Sequence, residues 1–115
     1  REELARAAGA TVNLLQDAVS AGLLPAATSY TEDSVSVLSA LADLQRAGIE
    51  PRHLRTMSAA AEREYSLIER SLMPILHRQD VASKAKANER ANEIARQLDV
   101  VRGSMLRMVI SKHQG

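Results

Sequence analysis

The amino-acid sequence predicts an all-α fold, and three observations support this prediction. Capping residues and glycines divide the chain into segments that carry the signals for helix starts and helix ends. Within these segments the apolar residues recur every three or four positions, which is the spacing of one helix face. We find no convincing strand pattern of alternating apolar and polar residues. At 115 residues, the chain has the length of one domain.

Two short helices are predicted at the start of the chain. The first covers residues 2–8 and ends at Gly9. Thr11 is an N-cap residue, and it predicts a second helix that runs to about Ala21 and is closed by Gly22.

The third predicted helix follows a turn-rich loop at residues 25–29. This loop has too few residues, with side chains that are too small, to form more than a minimal hairpin wing. Thr31 caps this helix, which covers about residues 32–47 and begins with two acids that suit the positive end of the helix dipole. Gly48 ends it, and Pro51 is suited to the first position of the next helix. Two helices that meet at such a corner are the skeleton of a helix-turn-helix relative.

Two longer helices are predicted in the second half of the chain. One starts near Pro51 and runs to about Met73, where Pro74 predicts a kink or a break because it removes one amide and disfavours the helical conformation before it. Residues 75–78 would form a further turn, and the last helix covers about residues 81–112.

Apolar stripes on these two helices predict a long antiparallel hairpin, since only a short polar turn near Gln79 and Asp80 joins them. One interpretation is that both stripes are buried within the chain. However, the last helix carries more apolar surface between Met105 and Ile110 than one neighbouring helix would cover. We therefore expect part of it to face a second copy of the chain, and the predicted interface residues are Leu98, Val101, Met105, Met108 and Val109.

Composition excludes several classes of function. The chain has no cysteine, which removes disulfide and thiolate chemistry and fits a reducing compartment. No segment approaches the length of a membrane span, and we see no signal-peptide pattern, so we expect a cytoplasmic protein without membrane contact. Only two aromatic residues, Tyr30 and Tyr65, are available to stack on a base or an aromatic ligand.

No catalytic, metal or cofactor site is predicted, because the three histidines lie far apart and the acids are interleaved with bases along helix faces. The most notable polar cluster is Arg52, His53 and Arg55 at a predicted helix N-terminus, where it could contact an anion or an acidic partner. An equally good interpretation is that the two arginines pair with Asp43 or Glu50 and hold the corner.

Two strings of the sequence resemble the winged helix-turn-helix of MerR-type transcription regulators. Their opening helix, glycine turn, second helix and exit are similar to EELARAAGATVNLLQDAVSAGLLP, and their next helix and corner to YTEDSVSVLSALADLQRAGIEPRHLRTM. The C-terminal domain of actinobacterial FtsR-like members of that family resembles more closely the string GIEPRHLRTMSAAAERE and the hairpin after it. In those bacterial regulators a DNA-binding winged helix precedes a second, degenerate domain.

The resemblance implies one domain over residues 1–115, with a degenerate helix-turn-helix part at residues 1–57 and a dimerisation hairpin at residues 58–115. The chain opens on Arg1, without an initiating Met and already within a helical pattern. We therefore expect it to be a piece of a longer protein whose N-terminal DNA-binding domain lies outside it.

The sequence departs from the DNA-reading pattern of that family. The second helix contains Asp17 and has no Lys, Arg or aromatic residue, and the wing is uncharged, although Asn13 and Gln16 could address a base edge. Residues 1–50 carry three basic and seven acidic side chains, whereas residues 51–115 carry twelve and seven. We therefore expect this domain itself not to contact DNA, because phosphate neutralisation supplies most non-specific affinity.

Three hypotheses follow. The leading one is the dimerisation and regulatory domain of a MerR-like regulator that forms a homodimer and reaches promoter DNA through the domain outside this chain. The second is a sensor domain that binds an unknown small-molecule effector or a protein partner, and a cavity lined by Tyr65 and Arg55 would support it. The third is direct DNA binding through the bases of the hairpin, namely Lys84, Lys86, Arg90, Arg96, Arg102 and Arg107.

Overall fold

The computed structural model describes residues 1–27 and 29–115. These residues form five α-helices and one short 3₁₀-helix, and no strand is found among them, which confirms the all-α prediction. The α-helices are α1 (Glu2–Ala8), α2 (Val12–Ser20), α3 (Glu32–Arg46), α4 (Thr56–Leu76) and α5 (Val81–Gln114), and the 3₁₀-helix is Pro51–Leu54.

The chain divides into two compact units, Arg1–Glu62 and Arg63–Gly115. The first unit contains the helices predicted for the helix-turn-helix part, and the division lies within α4, a few residues after the predicted one. The loop where a wing was expected includes Thr28, which lies outside the described residues. The description of both parts as a single domain stays a prediction.

Side-chain caps begin two helices of the first unit, α2 and α3, where the sequence predicts them. The backbone N–H of Leu14 donates to Thr11 Oγ1 at 3.1 Å and caps α2. At α3 the caps are reciprocal, since the N–H of Ser34 donates to Thr31 Oγ1 and the N–H of Thr31 donates to Ser34 Oγ, each at 3.3 Å. Gly48 follows α3 at a φ of 88°, which confirms the predicted left-handed stop.

The core of the first unit is built from leucine and alanine side chains. These side chains are aliphatic and carry no rings, so α1, α2 and α3 can pack closely. Leu15 and Leu38 are completely buried. The buried cluster consists of Leu4, Ala8, Leu14, Leu15, Ala18, Leu24, Leu38, Leu41 and Ala42.

In the second unit, α5 packs in an antiparallel manner against the part of α4 that follows Glu62. Ile68 and Leu72 of α4 and Ala87 of α5 are buried together, and partly buried side chains of both helices surround them. Near the other end of this pairing, the guanidinium of Arg102 contacts the carboxylate of Glu64. The surrounding side chains are Ile75, Ala91, Ile94, Ala95 and Leu98.

Two predicted helix boundaries were wrong. Pro51 begins a 3₁₀-helix rather than the long helix, which starts only at Thr56. Pro74 does not end that helix, which continues to Leu76. The missing amide of Pro74 leaves the carbonyl of Arg70 without its helical partner, but Arg70 lies in an exposed turn close to the helix end, where water can satisfy that carbonyl.

The short turn between α4 and α5 lies at the predicted place. Gln79 adopts a left-handed φ of 58°, and the next residue, Asp80, caps α5 by accepting a hydrogen bond from the N–H of Ser83 at 2.6 Å. None of the helices in the described part of the chain is both long enough and apolar enough to cross a membrane.

Candidate protein-interaction surface

The second half of α5 exposes a continuous apolar surface. We call residues 100–114 the α5 tail. Met105 and Met108 in this tail are 57% and 63% exposed, which is unusual for methionines on a helix with a packed first half. The other exposed large apolar residues of the tail are Val100, Val101, Leu106, Val109 and Ile110.

This surface continues the face that α5 uses to pack inside the second unit. Residues seven apart lie two turns apart on the same side of a helix, so Met105 extends the line of Leu98 and Met108 extends the line of Val101. Leu98 is partly buried in the cluster of Ile68 and its neighbours, whereas the large apolar residues beyond it are exposed. Of the five predicted interface residues, the structure therefore places Leu98 partly inside the hairpin and leaves the other four on the surface.

The charges of the α5 tail have one sign. After Asp99 the sequence has no further acid, whereas Arg102, Arg107 and Lys112 are basic. The guanidinium of Arg102 donates to Glu64 and, at 2.7 Å, to Asp99, and these hydrogen bonds raise the pKa of Arg102 above its ordinary value. The tail is therefore a cationic helix with a wide apolar face.

The first unit contains an apolar cleft that the sequence analysis did not find. We call it the α3–α4 cleft, and its volume is about 410 Å³. Aliphatic side chains of α3 and of the first two turns of α4 form most of its wall, and Ser58 and Glu62 supply its polar atoms. The sequence carries only part of the signal for it, namely a second apolar stripe on α3 beside the core stripe, because the rest of the wall comes from Leu54 and α4. The lining residues are Gly22, Leu23, Val37, Ala40, Leu41, Leu44, Leu54, Met57, Ser58, Ala61 and Glu62.

A second cavity of about 380 Å³ in the first unit contains two residues of the predicted anion contact, Arg52 and Arg55. Two acids, Asp17 and Glu50, also line it, so the cavity offers both signs of charge rather than a site for an anion. Ser20, Ala21 and Pro51 complete its lining, and Tyr65 lines neither this cavity nor the α3–α4 cleft.

His53, the third residue of that predicted contact, has a local structural role. Its Nδ1 accepts a hydrogen bond from the backbone N–H of Glu50 at 2.9 Å and closes the start of the 3₁₀-helix. Asp43, one of the acids considered as a partner for the arginines, pairs instead with Arg46 on α3. Gln45 donates to the carboxylate of Glu50, the other acid considered, at 3.3 Å.

Within residues 1–27 and 29–115, no three His, Asp or Glu side chains come together in a group that could hold a metal ion.

Comparison with known proteins adds a family and two relatives. The family of Rv1828-like C-terminal domains matches residues 1–114. Two uncharacterised proteins named HTH-type transcriptional regulators, Rv1828 of Mycobacterium tuberculosis and Mb1859 of Mycobacterium bovis, are each 32% identical to the chain over 100 residues. The matched region is 85% of this chain and 39% of each relative, so the chain spans about two fifths of the curated relatives that it matches.

Proposed function

Because this chain belongs to the family of Rv1828-like C-terminal domains, we propose that it is the dimerisation and regulatory domain of a MerR-like transcription regulator of the FtsR-like type. Its relatives are named as HTH-type transcriptional regulators, and neither name describes an enzyme. In this proposal the promoter is bound by a separate domain of the regulator, and the present domain brings two such domains together.

The exposed apolar face of the α5 tail is the observation that carries this proposal. Val101, Met105, Met108 and Val109 lie on one side of a helix and are each more than half exposed. A contiguous apolar surface of this kind is typical of a protein interface. Burying it against a second copy would remove these side chains from water, at a gain of roughly 25 cal/mol for each Å² of apolar surface.

Two features support the view that this domain does not itself contact DNA. The helix that would read bases, α2, carries Asp17 and no basic residue, in a segment with more acids than bases. Arg102, one of the bases considered for direct DNA binding, already donates to Glu64 and Asp99. A shift assay on random duplex DNA at increasing salt tests this view, and tight binding with a steep salt dependence would contradict it.

Our test of dimerisation compares two glutamate variants of the tail. Met105→Glu places a charge in the centre of the apolar face, and we expect it to convert the dimer into a monomer in sedimentation velocity experiments at high micromolar concentration. Val100→Glu is the matched control, because Val100 is equally exposed on the same helix but points away from that face.

We expect the Val100→Glu variant to remain a dimer. If the unmodified chain sediments as a monomer at the same concentration, the proposal is wrong. If Met105→Glu remains a dimer, the interface is not the face that contains Met105.

The second candidate function is small-molecule sensing, and the α3–α4 cleft favours it because its volume lies within the range of ligand pockets. Its aliphatic lining suits an uncharged apolar molecule. Nile red is a suitable probe, since its emission rises when it enters an apolar pocket. A saturable rise in emission that is abolished by Ala40→Glu but kept by Arg46→Glu, on the opposite side of α3, would support a ligand pocket. No saturable rise would exclude it.

A further inference from the structure

We propose that the α5 tail of one copy docks in the α3–α4 cleft of a second copy, and that the tail of the second copy docks in the cleft of the first. This inference rests on the proposed dimer and names the two surfaces that form it. It differs from the simplest arrangement, in which two tails would pair with each other.

The charges of the tail oppose pairing of two tails. Arg102, Arg107 and Lys112 are spaced five residues apart over three turns, and no acid lies between them. Arg102 already pairs with Glu64 and Asp99, and the tail itself contains no acid, so two paired tails would offer no opposite charge to Arg107 and Lys112. Like charges that approach one another disfavour an interface. Two tails alone therefore make a poor pair, although their apolar faces match.

The α3–α4 cleft has the opposite charge. Glu62 lies in its lining, and Asp33 lies one turn before Val37 on the α3 face that forms its wall. Among the described residues that line the cleft, none is lysine or arginine. A cationic apolar helix is thus the partner that this cleft fits in both charge and polarity.

The shapes of the two surfaces are also compatible. A helix that binds in a groove presents anchors at positions i, i+3, i+4 and i+7. Met105, Met108 and Val109 supply positions i, i+3 and i+4 on the tail, and Val101 lies one turn before them on the same face. The cleft offers wall residues from two helices, among them Val37 and Ala61, and methionine side chains adapt to an irregular apolar groove of this kind.

Reciprocal contacts give a closed dimer. Each copy contains one tail and one cleft, so two copies related by a two-fold axis satisfy both surfaces and leave none for further growth. The same pair of contacts without closure would produce fibres, and we expect none.

Disulfide trapping tests this arrangement directly, because the chain has no cysteine of its own. Ala40→Cys places a thiol in the cleft wall, and Met108→Cys places one on the tail face. We expect an oxidised mixture of the two single variants, one of them lengthened by a tag, to give mainly the mixed dimer. Arg46→Cys, which is exposed on the opposite side of the same helix, replaces Ala40→Cys as the control and should give little mixed product.

Two trapping results would overturn the inference. One is a strong Met108→Cys homodimer without a mixed cleft–tail dimer, which would show paired tails and leave the proposed dimerisation intact. The other is an intrachain disulfide in the double variant Ala40→Cys, Met108→Cys without a mixed dimer from the single variants, which would show that each cleft holds its own tail.

The dependence of the dimer dissociation constant on salt gives an independent test, because the two arrangements predict changes of opposite sign. Docking of a cationic tail on an acidic cleft should weaken as salt rises, because the Debye length shortens from about 30 Å at 0.01 M to about 3 Å at 1 M. We expect the dimer dissociation constant from sedimentation equilibrium to rise several-fold over this range. A constant that falls with salt indicates paired tails and contradicts the inference, and a monomer at every salt concentration contradicts the proposed function as well.

Discussion

Hydroxyl groups mark where α2 and α3 begin. Thr31 and Ser34 each satisfy the other's backbone N–H, so α3 starts with two of its free donors paired. Glu32 and Asp33 add negative charge in the same turn, where the helix dipole favours it. These residues are all readable in the sequence, and the predicted start of α3 is confirmed for that reason.

Replacing the cap of α3 tests this contribution. We expect Thr31→Ala to lower the free energy of unfolding by about 1 kcal/mol, because it removes the hydroxyl acceptor of the Ser34 N–H and with it the reciprocal cap. Ser36→Ala, an exposed change on the same helix, is the control and should change it by less than about 0.5 kcal/mol. Urea titrations of both variants measure the difference, and equal midpoints would contradict the prediction.

Asp80 makes the stability of the second unit depend on pH. The backbone N–H of Ser83, and then its hydroxyl, lower the pKa of the Asp80 carboxyl below its ordinary value of 3.8. Its contribution is therefore complete above pH 3.8 and is lost as the pH falls through the lowered pKa. We expect Asp80→Asn, which keeps an acceptor oxygen without the charge, to flatten the acid limb of thermal unfolding temperature against pH. An unchanged acid limb would contradict this role.

At the scale of elements, burial distinguishes two leucines that the sequence pattern does not. Leu38 of α3 is fully buried, whereas Leu98 of α5 is only partly buried, although both lie on apolar stripes of similar spacing. The spacing of a stripe identifies a helix and its apolar face. It does not show how far a neighbouring element covers that face, and this is why core and interface could not be separated in α5.

Alanine substitution should reveal that difference. We expect Leu38→Ala to reduce the free energy of unfolding by about 2–5 kcal/mol, because it removes buried methyl groups and leaves a cavity. Leu98→Ala should cost less, since part of that side chain already contacts water. Chemical denaturation of the two variants under one set of conditions provides the comparison, and a larger loss at Leu98 would contradict the packing described above.

Pro74 shows a limit of local rules for helix ends. Proline in a helix removes one hydrogen bond, which predicts a kink or a break, and the break does not occur because α4 continues past Pro74 to Leu76. The packing of Leu72 and Ile75 against α5 favours the helical path, and this tertiary contribution cannot be read from the local sequence.

We expect Pro74→Ala to stabilise α4, by up to roughly 3 kcal/mol, since it restores an amide donor within a helix that already forms. The thermal unfolding temperature of the variant measures this stabilisation. Ser71→Ala is not a suitable control, because the hydroxyl of Ser71 donates a hydrogen bond to the carbonyl of Ile68. A lower unfolding temperature for Pro74→Ala would contradict the prediction.

At the scale of the whole molecule, the two units differ in charge as well as in structure. The division of acids and bases between the two ends of the chain, and the excess of apolar residues after Leu98, are properties of the sequence and could be predicted from it. The α3–α4 cleft could not be predicted from the sequence. It forms between α3, the start of α4 and Leu54, which is the last residue of the 3₁₀-helix, and that short helix was itself not predicted. A cavity depends on the packing of several elements, and no single periodicity encodes it.

Gly103 has a consequence for the motions of α5. It follows Arg102, the residue that contacts Glu64, and it lies in the interior of the helix, where glycine costs about 1 kcal/mol relative to alanine. The last three turns of the isolated chain should therefore fray as a group, with amide protons that exchange with deuterium faster than those of residues 84–101. A methyl group at position 103 would meet only the flexible guanidinium of Arg107, so Gly103→Ala should slow that exchange without disturbing the fold. The α5 tail would thus unwind transiently in the free chain and become fully helical when a partner binds it.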